Sequence, residues 1–537
     1  MSLTVPVSFA VVLLAFPLLA HAASPAAPGQ QPPTSTPTLQ VYSRETDVDV
    51  VVTDSRGNPV YGLKPSDFTI DEDGKPQTIT NFSESSSPTA ALGHSLAPPN
   101  HVLPPGIYTN YQATPATGPV NIILLDALNG GPMLVDYAEQ QVNHYFHTMP
   151  AGTQVAVFWL SASGLHMLQG FTSDRSLLEK ATVTDRVDFG IYDIEWTRRW
   201  YTIDALNQIA AYVSGIKGRK NLLWFTPEPI FLLHDGGYAW MKPPDPGMVN
   251  RLMDTYELYI DEQIAVCPID PHGVHGIGRD QLIMAAVAAD TGGFAYFNNN
   301  DLSQGVAQAI QDGSHFYMLT YLPQHSDDRH FHTIKVTIDR PGLKLVYRPG
   351  YVAEQVPSPN LAGPQLMKAS LAGKAPDATQ IFFDVRVVPA TAPKAAPQSP
   401  PPANPRQTKA PATTTPYNVL FAVPQQQISF TIGPGGRHVA KLQFGLTAYD
   451  IDGKRMDHYV QNVGLNLDDR QYANFMTKPL KFHERFSLPA GQYSVHAGVL
   501  DQNSGKVGTI EIPVFNWQSQ KQFNNAAMYV LRHRTQN

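Results

Sequence analysis

NIILLDAL, at residues 121–128, carries a continuous apolar run that ends at Asp126. A run without polar alternation predicts a strand buried on both faces, as in a parallel sheet covered by helices. Further strands are predicted at TQVAVFWLS (153–161), HMLQGF (166–171), NLLWFTP (221–227), IAVCPID (264–270) and GFAYFN (293–298). Apolar residues at helical spacing predict helices at 133–146, 202–216, 248–263, 280–293 and 302–313. This alternation predicts a Rossmann-like, doubly wound α/β domain over residues 119–314.

Segments with strand patterns flank the α/β domain on both sides. The N-terminal β module, at 40–83, contains VDVVVTD and a predicted hairpin with Asp73-Gly74 at its tip. Strand patterns return at 315–352, and we expect them to complete this module as a small sandwich. Short strands with turn signals over 360–537 predict a β-sandwich-like C-terminal domain. The predicted fold class is therefore α/β plus all-β.

Four segments are assigned no place in a folded module. Residues 1–22 combine an apolar core with Ala20-His21-Ala22, which is the pattern of a signal peptide and its cleavage site. Their compositions predict a disordered spacer at 23–39, a loop or linker at 84–118 and a disordered, proline-rich tract at 389–416. We therefore expect an exported protein, placed in the periplasm, on the outer surface or outside the cell.

Composition disfavours several classes of protein. The 38 basic and 45 acidic residues give a net charge of -7 with no basic stripe, so a nucleic-acid partner is not expected. A single cysteine, Cys267, excludes an intrachain disulfide, and its position in an apolar strand predicts a buried thiol. No long apolar run follows residue 25, so no transmembrane helix is expected in the mature chain.

Several segments, in order, resemble one family. They are VDVVVTDSRGNPVYGLKPSDFTIDEDGKPQ (48–77), NIILLDALN (121–129), TIDALNQIAAYVSGIKGRKNLLWFTPE (202–228), SHFYMLTYLP (314–323) and FHTIKVTIDRPGLKLVYRPGYV (331–352). Over about three-fifths of the chain, they resemble the von Willebrand factor A-related proteins of the acidobacterial type. The resemblance implies a von Willebrand A-type domain, in which a metal-ion-dependent adhesion site lies at the strand carboxyl ends. Such a site holds a hard divalent cation, Mg or Ca, in oxygen ligands.

The adhesion-site pattern D-x-S-x-S is divergent in this chain. Asp126 matches its first position, but Leu128 and Gly130 stand where the serines would supply oxygens. Thr202 stands at the position of the family's threonine, although an alignment on the following Asp-Ala-Leu places Trp200 there. The position of the family's later aspartate falls at Thr226-Pro227, where this chain has no carboxylate. Asn129, Ser161 and Asp204 are substitutes, so the resemblance implies a degenerate site at Asp126, Asn129, Thr202 and Asp204, with no cofactor certain. Alternatively, Asp126 caps the following helix.

Two further clusters are candidates for binding. An aromatic and basic group, predicted as a loop before the helix at 202–216, is either an interaction surface or packing: Tyr192, Trp196, Arg198, Arg199, Trp200 and Tyr201. Asp270, His272 and His275 lie on a predicted strand-end loop and could converge on a metal, against the alternative of a polar loop. Gly93–Ala97 lacks the second glycine and the strand-turn-helix setting of a nucleophile elbow.

These features predict an exported, non-enzymatic binding protein of the adhesion type. Its A-type domain would present loops to a protein ligand whose identity the sequence does not reveal. One alternative is an exported metal-dependent hydrolase on the same α/β core, with Asp126, Asp204, Asp270 and His272 as candidate groups. The other is a purely structural envelope or secretion-accessory protein.

Overall fold

The computed structural model describes residues 45–86, 106–111, 119–182, 195–230, 246–323, 330–353, 363–390 and 414–516. The predicted signal peptide and spacer lie outside the described residues. Within them, 22 strands and eight α helices follow one another.

The strands before the last helix of the α/β domain are β1 Thr46–Thr53, β2 Phe68–Glu72, β3 Lys75–Gln77, β4 Ile79–Ser86, β5 Ile107–Thr109, β6 Val120–Asp126, β7 Val155–Ser161, β8 Gly164–Thr172, β9 Lys220–Phe225 and β10 Ile264–Ile269. The later strands are β11 His315–Tyr321, β12 Phe331–Ile338, β13 Lys344–Val346, β14 Gly350–Val352, β15 Asp384–Pro389, β16 Thr414–Val423, β17 Thr431–Ile432, β18 His438–Asp450, β19 Arg455–Leu467, β20 Leu480–Pro489, β21 Gly491–Asp501 and β22 Val507–Asn516. The helices are α1 Ala127–Thr148, α2 Arg175–Thr182, α3 Glu195–Val213, α4 Pro246–Asp261, α5 Arg279–Thr291, α6 Leu302–Asp312, α7 Gly363–Ser370 and α8 Asp469–Phe475.

The central sheet has the strand order β10-β9-β6-β7-β8. In domain order this is five-four-one-two-three, which is the order of a doubly wound nucleotide-binding sheet read from its far edge. Strands β6, β7, β9 and β10 are parallel, whereas β8 is antiparallel to β7. The expectation of a fully parallel sheet is therefore wrong at this edge. Only Ala162 and Ser163 join β7 to β8, and a parallel connection needs a dozen residues or more.

The central strand β6 shows why helices cover both faces of this sheet. Ile122 and Leu124 belong to a core shared with α3 and α4, while Ile123 and Leu125 belong to a second core shared with α1 and α6. Successive side chains of a strand point to opposite faces. The continuous apolar run at 122–125 therefore serves two cores, and the α/β class is confirmed.

The strands on either side of the α/β domain pair with each other. Strand β1 lies between β11 and β13, and β12 lies between β2 and β14. The two four-stranded sheets share one core, to which β1, β2, β11 and β12 contribute Val50, Ile70, Leu319 and Val336. The α/β domain is thus inserted in a β module built from both ends of the segment 46–352.

The C-terminal strands form two further sheets around a common core. One sheet has the order β20-β16-β15-β5, so a segment from the predicted linker at 84–118 supplies an edge strand. The linker assignment is therefore wrong for Ile107–Thr109, and β4 extends to Ser86. The ends of the predicted proline-rich tract at 389–416 belong to strands. Pro389 ends β15 and pairs with Tyr417 of β16, which begins at Thr414.

Two other elements differ from expectation. Helix α3 begins at Glu195, so residues 195–201 are helical rather than a loop before the helix. The predicted strand at 293–298 is reduced to a single bridge between Ile269 and Tyr296. None of the described helices combines the length and apolarity needed to cross a membrane.

Candidate functional site

The strand order places a crevice between β6 and β9. These neighbours are the first and fourth strands of the domain, and the connections leave them toward opposite faces, which is where ligands bind in open α/β sheets. Asp126 ends β6, and Thr226 follows β9. Both side chains are fully buried. The sequence therefore places an acidic and a hydroxyl group at the position that this architecture uses for binding.

Hydrogen-bond donors surround the Asp126 carboxylate. Its Oδ1 accepts the backbone N–H of Asn129 at 3.0 Å, which makes Asp126 the N-cap of α1. Its Oδ2 accepts the Asn129 side-chain amide at 2.9 Å and the Trp224 indole N–H at 3.1 Å. The Thr226 hydroxyl also donates to this carboxylate. Both oxygens are therefore engaged by groups of the chain itself.

The Asn129 amide also connects Asp126 with Thr202. Its Nδ2 lies 3.0 Å from the Thr202 hydroxyl oxygen, and that hydroxyl donates to the Arg198 carbonyl at 2.9 Å. Three of the four predicted site residues thus converge. In this arrangement an N–H group lies between two oxygens that the resemblance assigns to a cation.

Asp204 lies apart from this group and pairs with Arg251 of α4, at 2.5 Å between the guanidinium and carboxylate atoms. Ser161 contacts Ser163 at 2.8 Å between their hydroxyl oxygens, and Ser163 in turn contacts His166 at 2.6 Å. Leu128 is buried in the core. The predicted substitutes Asp204 and Ser161 thus have other partners.

Burial raises the pKa of Asp126, while the hydrogen bonds from Asn129, Thr226 and Trp224 oppose that rise. Removing a carboxylate from water penalises its charged form, and donors to that charged form compensate. Cys267, on β10, is also buried, and burial raises the pKa of its thiol to about 11. The thiol is therefore protonated near neutral pH and is a poor nucleophile.

The predicted aromatic and basic surface is mostly packed. Tyr192 and the side chain of Trp196 lie outside the described residues. Arg199 is buried, Arg198 is half-buried, and both are on α3. Trp200 packs against an apolar cluster made of Ile203, Ile230, Met248 and Leu252, and Tyr201 packs against the core between the sheet and α3. The described members of the group therefore favour the packing alternative.

Sequence reasoning missed an apolar surface at the carboxyl edge of the sheet. Met133 of α1 is 86% exposed, and Val274, Ile277 and Leu282 after β10 are each more than 60% exposed. The hydroxyl of Tyr137 on α1 donates to the Asn300 carbonyl, and the Asn300 side chain accepts the Val274 N–H at 2.9 Å. These hydrogen bonds connect α1 with the loop after β10 through Asn300. We call Met133, Val274, Ile277 and Leu282 the apolar edge.

No family model and no curated protein matches the chain. Three solved structures illustrate what it is similar to. An aerotolerance-related membrane protein from Bacteroides fragilis is 16% identical, with 36% of this chain and 98% of that one covered and a TM-score of 0.24. The VWA domain of SpRpn10 is 14% identical, with 36% and 97% covered and a TM-score of 0.25.

A pilus adhesin, SpaC from Lactobacillus rhamnosus GG, is 11% identical, with 85% of this chain and 58% of that one covered and a TM-score of 0.26. At such TM-scores these likenesses carry no argument of their own. The description of the α/β domain rests on its strand order and its two helix-covered faces.

Proposed function

We propose that the chain is an exported, non-enzymatic binding protein whose α/β domain presents the carboxyl edge of its sheet to a protein partner. The apolar edge is the observation that carries this proposal. Large apolar side chains that are held exposed on one edge mark an interaction site more often than scattered ones do. Export is supported by the signal-peptide pattern of residues 1–22.

We further propose that binding at this edge does not use a cation at Asp126. Adhesion through a metal needs carboxylate and hydroxyl oxygens that are free to coordinate it. The Asp126 oxygens instead accept N–H groups from Asn129 and Trp224, and no part of the Asp126 side chain reaches solvent. The degenerate adhesion site then serves to fix the start of α1, next to the apolar edge.

Site-specific photocrosslinking tests the proposed surface. A benzophenone amino acid is introduced at Met133 or Ile277, and the full chain is incubated with envelope extract of the producing organism. We expect both positions to form an adduct with the same protein, because the two residues flank one surface. Benzophenone side chains at Ile432 and Ile451 serve as controls, since these are equally exposed apolar residues of the C-terminal domain.

The proposal fails if the edge positions give no adduct, or the same adducts as the controls. A second set of variants tests how much each residue contributes to the affinity for the partner. Met133→Asp and Ile277→Asp should each weaken binding of the identified partner at least tenfold, because each places a charge in a desolvated contact. Ile432→Asp should leave that affinity unchanged.

A further inference from the structure

The loop after β10 is held in one shape by its neighbours. Gly273 has a φ of 75°, and a Cβ there would lie 2.4 Å from the Asn300 side-chain oxygen. The Asn300 side chain accepts the Val274 N–H at 2.9 Å, and the Asn298 side chain accepts the Gly276 N–H at 3.1 Å. Residues 270–278 are therefore fixed before any ligand arrives.

Asp270 is the centre of this loop. Its carboxylate is fully buried at the carboxyl end of β10. Oδ1 accepts the backbone N–H of His272 at 3.0 Å and lies 2.9 Å from the Nδ1 of the His272 ring. Oδ2 accepts the Gln281 amide at 2.7 Å and lies 3.7 Å from the Nε2 of His275. Among the described residues, its ion-pair partners are these two imidazoles.

The tautomer of His275 follows from its contacts. Its Nδ1 lies 3.1 Å from the Gly273 carbonyl, which can only accept, so Nδ1 carries the proton. The lone pair of Nε2 therefore faces Asp270 and accepts the Gln281 amide at 3.0 Å. A backbone carbonyl bound to the far ring nitrogen is the usual orienting contact of a metal-ligating histidine.

Gln281, in the first turn of α5, is the common hydrogen-bond donor to Asp270 and His275. Its Oε1 accepts the Gly278 N–H at 2.8 Å, which turns its Nε2 toward both Asp270 and His275. The two N–H bonds of this amide thus go to a carboxylate oxygen and to an imidazole lone pair. These are the two kinds of atom that a borderline metal ion binds together.

We propose that Asp270, His272 and His275 form a zinc site at the carboxyl edge of the α/β domain. One ligand atom from each residue lies within 4.8 Å of the other two. Ligand atoms around zinc are about 3.3 Å apart, given bonds of about 2.0–2.1 Å in a tetrahedron, so small side-chain rotations close the site. Zinc takes the place of the Gln281 amide and binds Nδ1 of a neutral His272 ring, whose single proton then sits on the solvent-facing Nε2.

The types of ligand atom determine which ion the site prefers, and the exposure of the ligands determines how that ion reaches it. Two imidazoles with one carboxylate suit Zn²⁺, whereas Mg²⁺ and Ca²⁺ prefer six or more oxygens. The side chains of His272 and His275 are 42% and 41% exposed. The fourth position of the metal thus faces solvent and is open to water or to a carboxylate.

The surroundings of Asp270 differ from those of Asp126 in exposure and in the kinds of neighbouring group. There the carboxylate is closed on every side, and its partners Asn129, Trp224 and Thr226 supply amide, indole and hydroxyl groups rather than imidazole lone pairs. At Asp270 two of three ligands are at the surface, so an ion can enter without opening the core.

Zinc titration of the full chain, free of any histidine tag, tests the site. We expect one Zn²⁺ per chain by calorimetry and by elemental analysis after dialysis. The double variant His272→Ala/His275→Ala should bind Zn²⁺ at least about 100-fold more weakly, because it removes two of three ligands. Cobalt(II) should give the intense visible bands of a four-coordinate site in the wild type and lose them in the variant.

The control is His458→Ala/His483→Ala, which removes two exposed histidines of the C-terminal domain and should bind Zn²⁺ normally. Unchanged far-ultraviolet circular dichroism shows that each variant is folded. The proposal is overturned if wild-type protein binds no Zn²⁺ at 100-fold excess, if the His272/His275 variant binds as wild type does, or if Asp126→Asn abolishes binding. None of these measurements involves a protein partner, so their failure is distinct from failure of the proposed binding function.

Discussion

At the scale of single residues, Asp126 shows how groups of the chain itself satisfy a buried carboxylate at a strand end. The side-chain amide of Asn129 contacts both this carboxylate and Thr202. The two N–H bonds of this amide carry partial positive charge and satisfy one oxygen each without a metal. The Asn129 amide thus compensates the buried Asp126 carboxylate, as a bound cation would.

We predict that Asn129→Ala lowers the free energy of unfolding by about 1–3 kcal/mol, because it removes a donor from a buried carboxylate. Urea titration measures the change. Asn474→Ala, an exposed change in α8, should stay within about 0.5 kcal/mol of wild type. If Asn129→Ala is as stable as wild type, or if Mg²⁺ restores its stability, the amide is not what satisfies Asp126.

The sequence predicted Asp126 but not its environment. The run of apolar residues and the strand-end rule locate this residue without any knowledge of tertiary contacts. Its partner Trp224 lies 98 residues away on β9, inside a run that is typical of core packing. Local spacing alone suggests that Asp270, His272 and His275 converge, whereas Gln281, the common partner of Asp270 and His275, lies on the next helix and has no local signal.

At the scale of elements, the apolar patterns predicted each helix of the α/β domain except α2, together with strands β6, β7, β8, β9 and β10. The errors arise where geometry outweighs pattern. The short β7–β8 connection forces an antiparallel edge, and the packing of Trp200 against Ile230 and Met248 accompanies an extension of α3 back to Glu195. Strand β5 is three residues long, and its partner β15 lies some 270 residues away, so no local pattern reveals it.

Gly293 is the residue that lets the end of α5 approach β10. A Cβ at this position would lie 2.0 Å from the Val266 carbonyl oxygen, a backbone atom of β10 that is held by pairing with β9. We predict that Gly293→Ala lowers the free energy of unfolding by at least about 3 kcal/mol, as severe overpacking does. Thermal and urea unfolding measure the loss.

Gly305→Ala is the matched control. Gly305 lies inside α6, and a Cβ there would meet nothing nearer than 3.8 Å, so alanine should leave stability unchanged or raise it by up to about 1 kcal/mol. A Gly293→Ala protein as stable as the Gly305→Ala protein would mean that α5 and β10 are packed less closely than the distance implies.

At the scale of the whole molecule, a few buried polar contacts join the modules. Arg348, near β14, donates to the carbonyls of Ile260 on α4 and Asp47 on β1, each at 2.6 Å. Thr379, before β15, donates to the carbonyls of Ala211 and Tyr212 on α3 and accepts the Gly215 N–H at 3.0 Å. These contacts connect the flanking β modules to helices α3 and α4 of the α/β domain.

A buried ion pair between Asp49 and Arg219 is another of these links. Asp49 lies on β1, and Arg219 precedes β9 with no exposed side-chain surface. The guanidinium also donates to the Gly292 carbonyl at 2.6 Å and to the Asn221 side chain at 3.0 Å. We predict that Asp49→Leu lowers the free energy of unfolding by about 3–5 kcal/mol, because it leaves a buried charge without its counter-ion.

The double variant Asp49→Leu/Arg219→Met should regain much of that loss, since it removes the orphaned charge and keeps apolar volume. Arg340→Ala is the control, because water screens the exposed pair of Arg340 with Asp67, which therefore contributes little to stability. Urea unfolding measures the change in the free energy of unfolding, and hydrogen exchange shows which strands lose protection. If Asp49→Leu destabilises no more than Arg340→Ala does, or exposes β1 amides without affecting those of β9, this ion pair does not couple the N-terminal β module to the central sheet.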